Sequence, residues 1–460
     1  MSLSDQRLWR ETDNSAASGS DSSLFTADYQ GRSYWLEDSP SQPQLNEQLP
    51  ATADVVVIGS GYTGLNTALQ TARGGRSTVV LDSGVPGQGC STRNGGQIST
   101  SVKPTVASLS KRFGQERAQA IRKEGETALE WIEELVQGEC IKCDFQRNGR
   151  FHAAHTPAQY NLIARQADQL KQQEGIEAFA VPKSEQRSEL GSDAYFGGVV
   201  FTRHASLHAG KFHQGLLKAV LNAGGEIVPR CTATSIDRLA NEGDYQFEIT
   251  TSLGTIKTRD VMIATNGYTG SLIPWLQRRI IPIGSYVIAT EALSPTLVDE
   301  LFPTHRIASD TCRVVYYYRA SPDRTRILFG GRVSANETDP DISGPKLHAQ
   351  MCRIFPQLSD TKISHSWSGQ VGYTFDTLAH TGTYNGQHYA MGYCGSGVSM
   401  ASYLGMRAGQ KILGNTMGYT AFDNLPFPTR PLYQGKPWFL PSMVSWYRWR
   451  DRLEYTRASA

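Results

Sequence analysis

Six residues, Gly59-Ser60-Gly61-Tyr62-Thr63-Gly64, carry three glycines in G-x-G-x-x-G spacing directly after the apolar run from Val55 to Ile58. Such a loop has a definite chemistry. The first glycine permits a tight turn, the second lets the backbone approach a pyrophosphate, and the third lets a helix pack closely on a strand. Backbone N–H groups at the start of the following helix then face phosphate oxygens, where the helix dipole favours negative charge. Asp82 ends the next apolar run, 18 residues after Gly64, where a carboxylate accepts hydrogen bonds from an adenosine ribose and repels a 2′-phosphate. A glycine turn with an unrelated surface aspartate is the alternative reading. Strand, turn, helix (about Thr63 to Arg73), strand (Thr78 to Asp82) and acid in register argue against it.

The residues after the acid bear on which dinucleotide is held. "GVPGQGCSTRNGGQIS", Gly84 to Ser99, is a second glycine-rich polar loop where an NAD-type domain would begin a helix. It resembles the flavin loop of the D-amino-acid oxidase-like family of FAD-dependent oxidoreductases, and "SYW" (Ser33 to Trp35), "STRNGGQIS" and the tail "PFPTRPLYQGKPWFLPSMVSWYRWRDRL" most resemble its γ-glutamylputrescine oxidase-like branch. "RDVMIATNGYT" (Arg259 to Thr269), "SWSGQVGYTFDTLAHTG" (Ser366 to Gly382) and "YAMGYCGSGVSMASYLG" (Tyr389 to Gly405) resemble three further family segments, in the family's order. The resemblance covers about residues 33–453 and implies the glutathione-reductase-like α/β fold: a Rossmann-type FAD domain interleaved with an antiparallel-sheet substrate domain carrying helices. It implies that FAD contacts Gly59, Gly61, Tyr62, Thr63, Gly64, Asp82, Ser83, Ser91, Thr92, Arg93, Asn94, Gly95, Gly96 and Gln97. Ala233, Thr265, Asn266, Gly267, Gly395, Ser396, Gly397 and Val398 complete that set. Arg93 is read as holding phosphate or the flavin ring, with a surface ion pair as the alternative.

The family's reaction removes a hydride equivalent from the carbon bearing an amine, and water hydrolyses the resulting imine. Flavin supplies that chemistry, while the protein orients the carbon and keeps the amine neutral, so no obligatory protein base is expected. In "RVVYYYRA", strand alternation sends Tyr316 and Tyr318 to one face and Tyr317 to the other. Tyr316 and Tyr318 are the candidates for lining an amine pocket, against an aromatic sheet core as the bland alternative. Arg332 in "FGGR" resembles a family position facing the substrate and would pair a carboxylate such as that of a γ-glutamyl group; a structural arginine is the alternative. Tyr373 and His380 lie in the segment leading to the flavin. Departures matter too: Val371 stands where some relatives attach FAD through cysteine, implying noncovalent FAD. Leu328 stands where they carry a lysine that promotes the oxygen reaction, leaving oxidase or dehydrogenase open.

The elements that must position these residues come in an interleaved order. The expected FAD domain comprises 33–103, 200–279 and 360–415. The expected substrate or cap domain comprises 104–199, whose helical periodicity runs from Pro104 to about Leu135, and the strand-rich 280–359. Residues 1–32 are read as a flexible polar arm, and 416–460 as an aromatic and basic tail that wraps its own domain or touches a partner or membrane surface. A chain of 460 residues with 39% hydrophobic, 19% charged and net charge +2 is ordinary globular composition, with no bulk signal for nucleic acid. Seven scattered cysteines are read as free thiols in a reducing cytoplasm, and the lone Cys140-x-x-Cys143 makes a metal improbable. No membrane-spanning apolar run and no signal peptide are found, and a monomer is the default. The expected partners are a small amine and oxygen or another electron acceptor. The rivals are an N-methyl or D-amino-acid oxidoreductase and, of another class, a flavin protein that delivers electrons or assembles with a partner.

Overall fold

The computed structural model describes residues 24–459 apart from 38, 40–42, 44 and 334–337. Two large sheets organise the chain. The cofactor-type sheet runs in the order Ala233–Glu242, Tyr245–Thr251, Gly254–Ile263, Thr52–Ile58, Thr78–Leu81, Glu226–Val228, with Gln387–Met391 also pairing to Gly254–Ile263. Its central strands are parallel and apolar on both faces, as strands covered on both sides must be. Helices Tyr62–Arg73 and Gly397–Ile412 pack face to face on one side, and Gly405 makes that close approach possible: a Cβ there would lie 2.3 Å from the Thr63 carbonyl oxygen.

The second sheet has nine strands, ordered Phe25–Gln30, Ile363–Tyr373, Ile281–Thr290, Ile327–Gly331, Tyr317–Ala320, Ile307–Asp310, Arg150–Ala153, Gly198–Phe201, Ala178–Val181. Its far face carries a core of Phe151, Tyr318, Phe329, Phe355 and their neighbours, beneath helices Pro295–Leu301 and Pro340–Ile354. Its near face looks back at the cofactor loops, since Trp367 on this sheet donates its indole N–H to the Arg93 carbonyl at 2.9 Å.

Three boundaries differ from the sequence expectation. Residues 25–30, placed in the arm, form a strand pairing in parallel with Ile363–Tyr373, so the expected arm applies at most to 1–23, which lie outside the described residues. Helices Val106–Phe113 and Gln115–Gly138 were assigned to the cap, yet Leu109, Ala118, Ile121, Leu129 and Ile132 bury in the same core as the dinucleotide helix, packing on Gly397–Ile412. Their apolar stripes required a partner without specifying which. Strand Ile363–Tyr373, assigned to the FAD domain, pairs along its length with Ile281–Thr290 of the substrate sheet. The tail forms a helix, Leu440–Ser459, that packs Leu440 and Val444 against Val314. Among the described residues no helix is long and apolar enough to cross a membrane, and all seven cysteines are free.

Candidate active site

Gly59 adopts φ +107, a conformation that L side chains rarely tolerate, and Gly64 packs so tightly that an added Cβ would lie 1.8 Å from the Gly59 carbonyl oxygen. Helix Tyr62–Arg73 begins at Gly61 with no side-chain cap. Asp82 holds the loop: its Oδ2 accepts from the Ser60 N–H at 3.0 Å and from the Ser60 hydroxyl, and its Oδ1 from the Gly84 N–H at 2.9 Å. Behind it, buried His213 sits with Nε2 2.8 Å from the Ser60 carbonyl oxygen, so that nitrogen carries the proton.

The second loop is pinned from several elements. Ser33 donates to the Thr92 carbonyl at 2.6 Å, the Trp35 indole to the Asn94 carbonyl at 2.6 Å, and Arg93 Nη1 to the Ser368 carbonyl at 3.1 Å. Asn94 itself organises the turn, accepting from the Gly96 N–H at 2.8 Å and donating to the Ser91 carbonyl at 2.9 Å. The third loop leads through Gly395, at φ +99, into helix Gly397–Ile412, which also lacks a side-chain cap. Asn266 fixes it by accepting from the Gly392 N–H at 2.9 Å.

These loops converge on one cleft of about 1340 Å³ that continues to the near face of the nine-stranded sheet. Of the expected cofactor residues, Gly64, Thr92, Gly96 and Gly267 sit behind the lining and shape it; the others line it. Two uncapped helix N-termini, a loop held by Asp82 and glycines with no room for a side chain make a cradle that fits a dinucleotide.

The substrate candidates divide. Tyr373 and Arg332 line the cleft, with Arg332 Nη1 donating to the Gly284 carbonyl at 2.7 Å. Tyr316 and Tyr318 do not. Tyr318 is fully buried in the far core and both rings stack on Phe329, at centroid distances of 5.6 and 5.4 Å. Strand alternation separates the three tyrosines as expected, but the cleft lies on the other face. Tyr317 lines it, its ring against Gly95 and Gly330 and its hydroxyl 2.9 Å from Ser285 Oγ. His380 is also outside the lining, buried with Nε2 3.0 Å from Asp376 Oδ1 and its ring stacked on Phe427.

Sequence reasoning missed Lys103, Arg150, His152, Ser309, Arg313 and Tyr447, all in the lining. The lining holds one carboxylate, Asp82, against Arg93, Lys103, Arg150, Arg313 and Arg332. It is an electropositive cleft. Asp310 lies just beneath it, fully buried, where its carboxylate accepts from the N–H groups of Cys312 (3.2 Å) and Tyr316 (3.1 Å) and from the Tyr195 hydroxyl (3.3 Å). Burial pushes the Asp310 carboxyl up to about 7. A raised folded-state value means its stabilising contribution is full below about pH 4 and is lost as pH rises through about 7. Asp310→Asn keeps an acceptor for both N–H groups, so its melting temperature at pH 8 is expected to exceed the parent's by several degrees, the gap closing by pH 4. Thermal melts across that range check it.

Residues 54–410 match the family model described as FAD dependent oxidoreductase. The chain belongs to that family of FAD-dependent oxidoreductases. It is 30% identical over 419 residues to the Gamma-glutamylputrescine oxidoreductase of Escherichia coli, covering 89% of this chain and 95% of that protein. A Probable oxidoreductase OrdL of Haemophilus influenzae is 28% identical over 389 residues, covering 84% of this chain and 88% of that one. Among solved structures, glycine oxidase from Geobacillus kaustophilus superposes with a TM-score of 0.67 at 17% identity over 83% of this chain and 99% of its own. L-proline dehydrogenase from P. horikoshii gives 0.65 at 16% identity, over 86% and 99%. The α/β architecture and the assignment to this family, both expected from the sequence, hold.

Proposed function

We propose that this oxidoreductase oxidises the C–N bond of a γ-glutamylated polyamine, γ-glutamylputrescine or a near relative, with FAD held noncovalently. The observation that carries the substrate class is the charge of the cleft: Arg93, Lys103, Arg150, Arg313 and Arg332 line it, Asp451 and Glu454 pair with Arg313, and the one carboxylate of the lining, Asp82, is already engaged by Ser60 and Gly84. A free diamine carries two positive charges and is repelled there, whereas a γ-glutamyl amine brings a carboxylate for the arginines. The 30% identity with the Escherichia coli protein supports the same class.

When bound, FAD accepts two electrons and a hydrogen from the carbon bearing the amine. The glycine loops would hold its pyrophosphate, Asp82 its ribose, and the third loop, beside Lys103 and Tyr373, its ring end. Tyr317 and Tyr373 flank the space left for the amine. The cationic lining disfavours an ammonium and so promotes the neutral amine that the reaction needs. His152 is pushed down to about 4 by burial and by the Arg150 charge, so it is neutral and adds no competing cation. Cys90 and Cys394 line the cleft, but burial pushes both thiols up to about 11, leaving them protonated and poor nucleophiles toward a flavin ring.

The test is the visible spectrum of purified protein mixed without oxygen with γ-glutamylputrescine, putrescine, sarcosine and D-amino acids. Rapid bleaching by γ-glutamylputrescine with at least about 10-fold slower response to putrescine is expected. Bleaching by sarcosine or a D-amino acid instead would transfer the assignment to that class. A flavin that no amine bleaches would leave a role in electron delivery or assembly.

A further inference from the structure

The strand Arg150–Ala153 alternates arginine, phenylalanine, histidine, alanine. Phe151 and Ala153 enter the far core, and Arg150 and His152 line the cleft. Cross-strand register puts His152 opposite Ser309, Ser309 opposite Tyr317, and Tyr317 opposite Gly330. A single row of the sheet therefore leads from His152 to the tyrosine that leans on Gly95 of the cofactor loop.

Arg150 differs from Arg313 and Arg93, two other arginines of this cleft. Arg313 pairs with Asp451 and Glu454, and Arg93 donates to a backbone carbonyl. Arg150 has one hydrogen bond, from Nη2 to Gln97 Oε1 at 3.3 Å; its Nε has no partner, and no carboxylate among the described residues is within ion-pair range. Gln97 is itself aimed, its amide donating to the Tyr318 carbonyl at 3.2 Å, which turns Oε1 toward the guanidinium. Burial lowers Arg150 only to about 10, so it stays cationic at neutral pH. A half-buried cation with a single amide acceptor is costly unless a counter-ion arrives. Beside it, His152 Nδ1 is 3.0 Å from Ser309 Oγ, leaving Nε2 for a ligand.

We infer that Arg150, positioned by Gln97 and assisted by His152, binds a carboxylate at the end of the substrate remote from the oxidised carbon. This rests on the proposed amine oxidation for which end of the ligand reacts, but not for the anion site itself. The site selects extended amines carrying an acid over the same amines without one, because only the former supply the missing charge.

Glutarate, a dicarboxylate with no amine to oxidise, is the probe. Titrated into the FAD-loaded enzyme and followed by the perturbed flavin spectrum, it is expected to bind the parent and to bind Arg150→Gln at least about 10-fold more weakly, with Arg150→Lys recovering part of the loss. In anaerobic reduction, Arg150→Gln is expected to raise the half-saturating γ-glutamylputrescine concentration by a similar factor while that for putrescine stays the same or falls, so that the preference for the acid-bearing amine shrinks. Unchanged glutarate affinity in Arg150→Gln, no glutarate binding by the parent, equal losses for both amines, or release of FAD from the variant would each overturn the assignment. If no amine reduces the flavin, the functional reading fails while the glutarate titration still decides the site.

Discussion

Gly64→Ala is expected to yield a protein that keeps its helices and sheets but no longer retains FAD. The new methyl group would sit 1.8 Å from the Gly59 carbonyl oxygen and 3.1 Å from Val57 Cγ1. The first of these is backbone in the loop whose shape defines the phosphate cradle, so no rotamer change relieves it. Helix Tyr62–Arg73 must move off the strand, and its N–H groups leave the position where phosphate would meet them. Overpacking of this kind costs about 1–3 kcal/mol or more in stability, but the larger loss is in the cofactor. The flavin-to-protein absorbance ratio after desalting is expected to fall at least about 10-fold, with far-ultraviolet dichroism preserved. Gly138→Ala, at the end of a helix with nothing within 4 Å of the added atom, is the matched control and should be neutral or slightly stabilising. Full flavin retention by Gly64→Ala would mean that this loop does not form the cradle.

The contrast between Gly64 and Tyr317 shows what a sequence can and cannot carry. The glycine loop is local: its three spacings, the strand before it and the acid at the end of the next strand all lie within thirty-odd residues, and each has its own steric reason. The tyrosine triplet is equally regular, and period two did separate Tyr317 from Tyr316 and Tyr318. Both faces of that strand are buried, one in a core with Phe329 and Phe355 and one in the cleft, so the alternation has no polar side to reveal which face meets solvent. Arg150 and His152 were silent for the same reason. Their significance comes from strands about 155 residues later in the chain, Ile307–Asp310 and Tyr317–Ala320, that the sheet lays beside them. The strand Phe25–Gln30 was hidden by its Ser-rich surroundings. Pro441 does not interrupt the tail, because it falls in the first turn of helix Leu440–Ser459, where its missing N–H has no intrahelical role.

Ending the chain at Pro437 is expected to leave a flavoprotein that binds its substrate at least about 10-fold more weakly, because the tail helix is a wall of the cleft. Phe439, Leu440, Met443, Val444 and Tyr447 line it, although the family match stops at residue 410. The three cofactor loops lie elsewhere and should hold FAD unchanged. Two kinds of contact fix the helix, and their magnitudes decide which matters. Burying each of Leu440 and Val444 is worth about 1.5–3 kcal/mol, whereas the partly exposed pairs of Arg313 with Asp451 and Glu454 are worth about 1 kcal/mol or less each. Arg313→Gln should therefore loosen the helix less than Val444→Asp does. Arg313 also holds the Glu454 carboxyl below its ordinary range, so the ionic share is present at neutral pH and disappears as pH falls below about 4.5. The apolar share persists there. Arg448 ties the same helix to the Arg332 carbonyl at 2.8 Å, so a displaced tail also frees the backbone that carries a candidate substrate-facing arginine. Half-saturation for γ-glutamylputrescine should thus rise in the order Arg313→Gln, Val444→Asp, truncation, with the limiting rate of flavin reduction changing less than the affinity. An unchanged half-saturation in the truncated, flavin-loaded protein would remove the tail from the site and leave the nine-stranded sheet alone to define substrate choice.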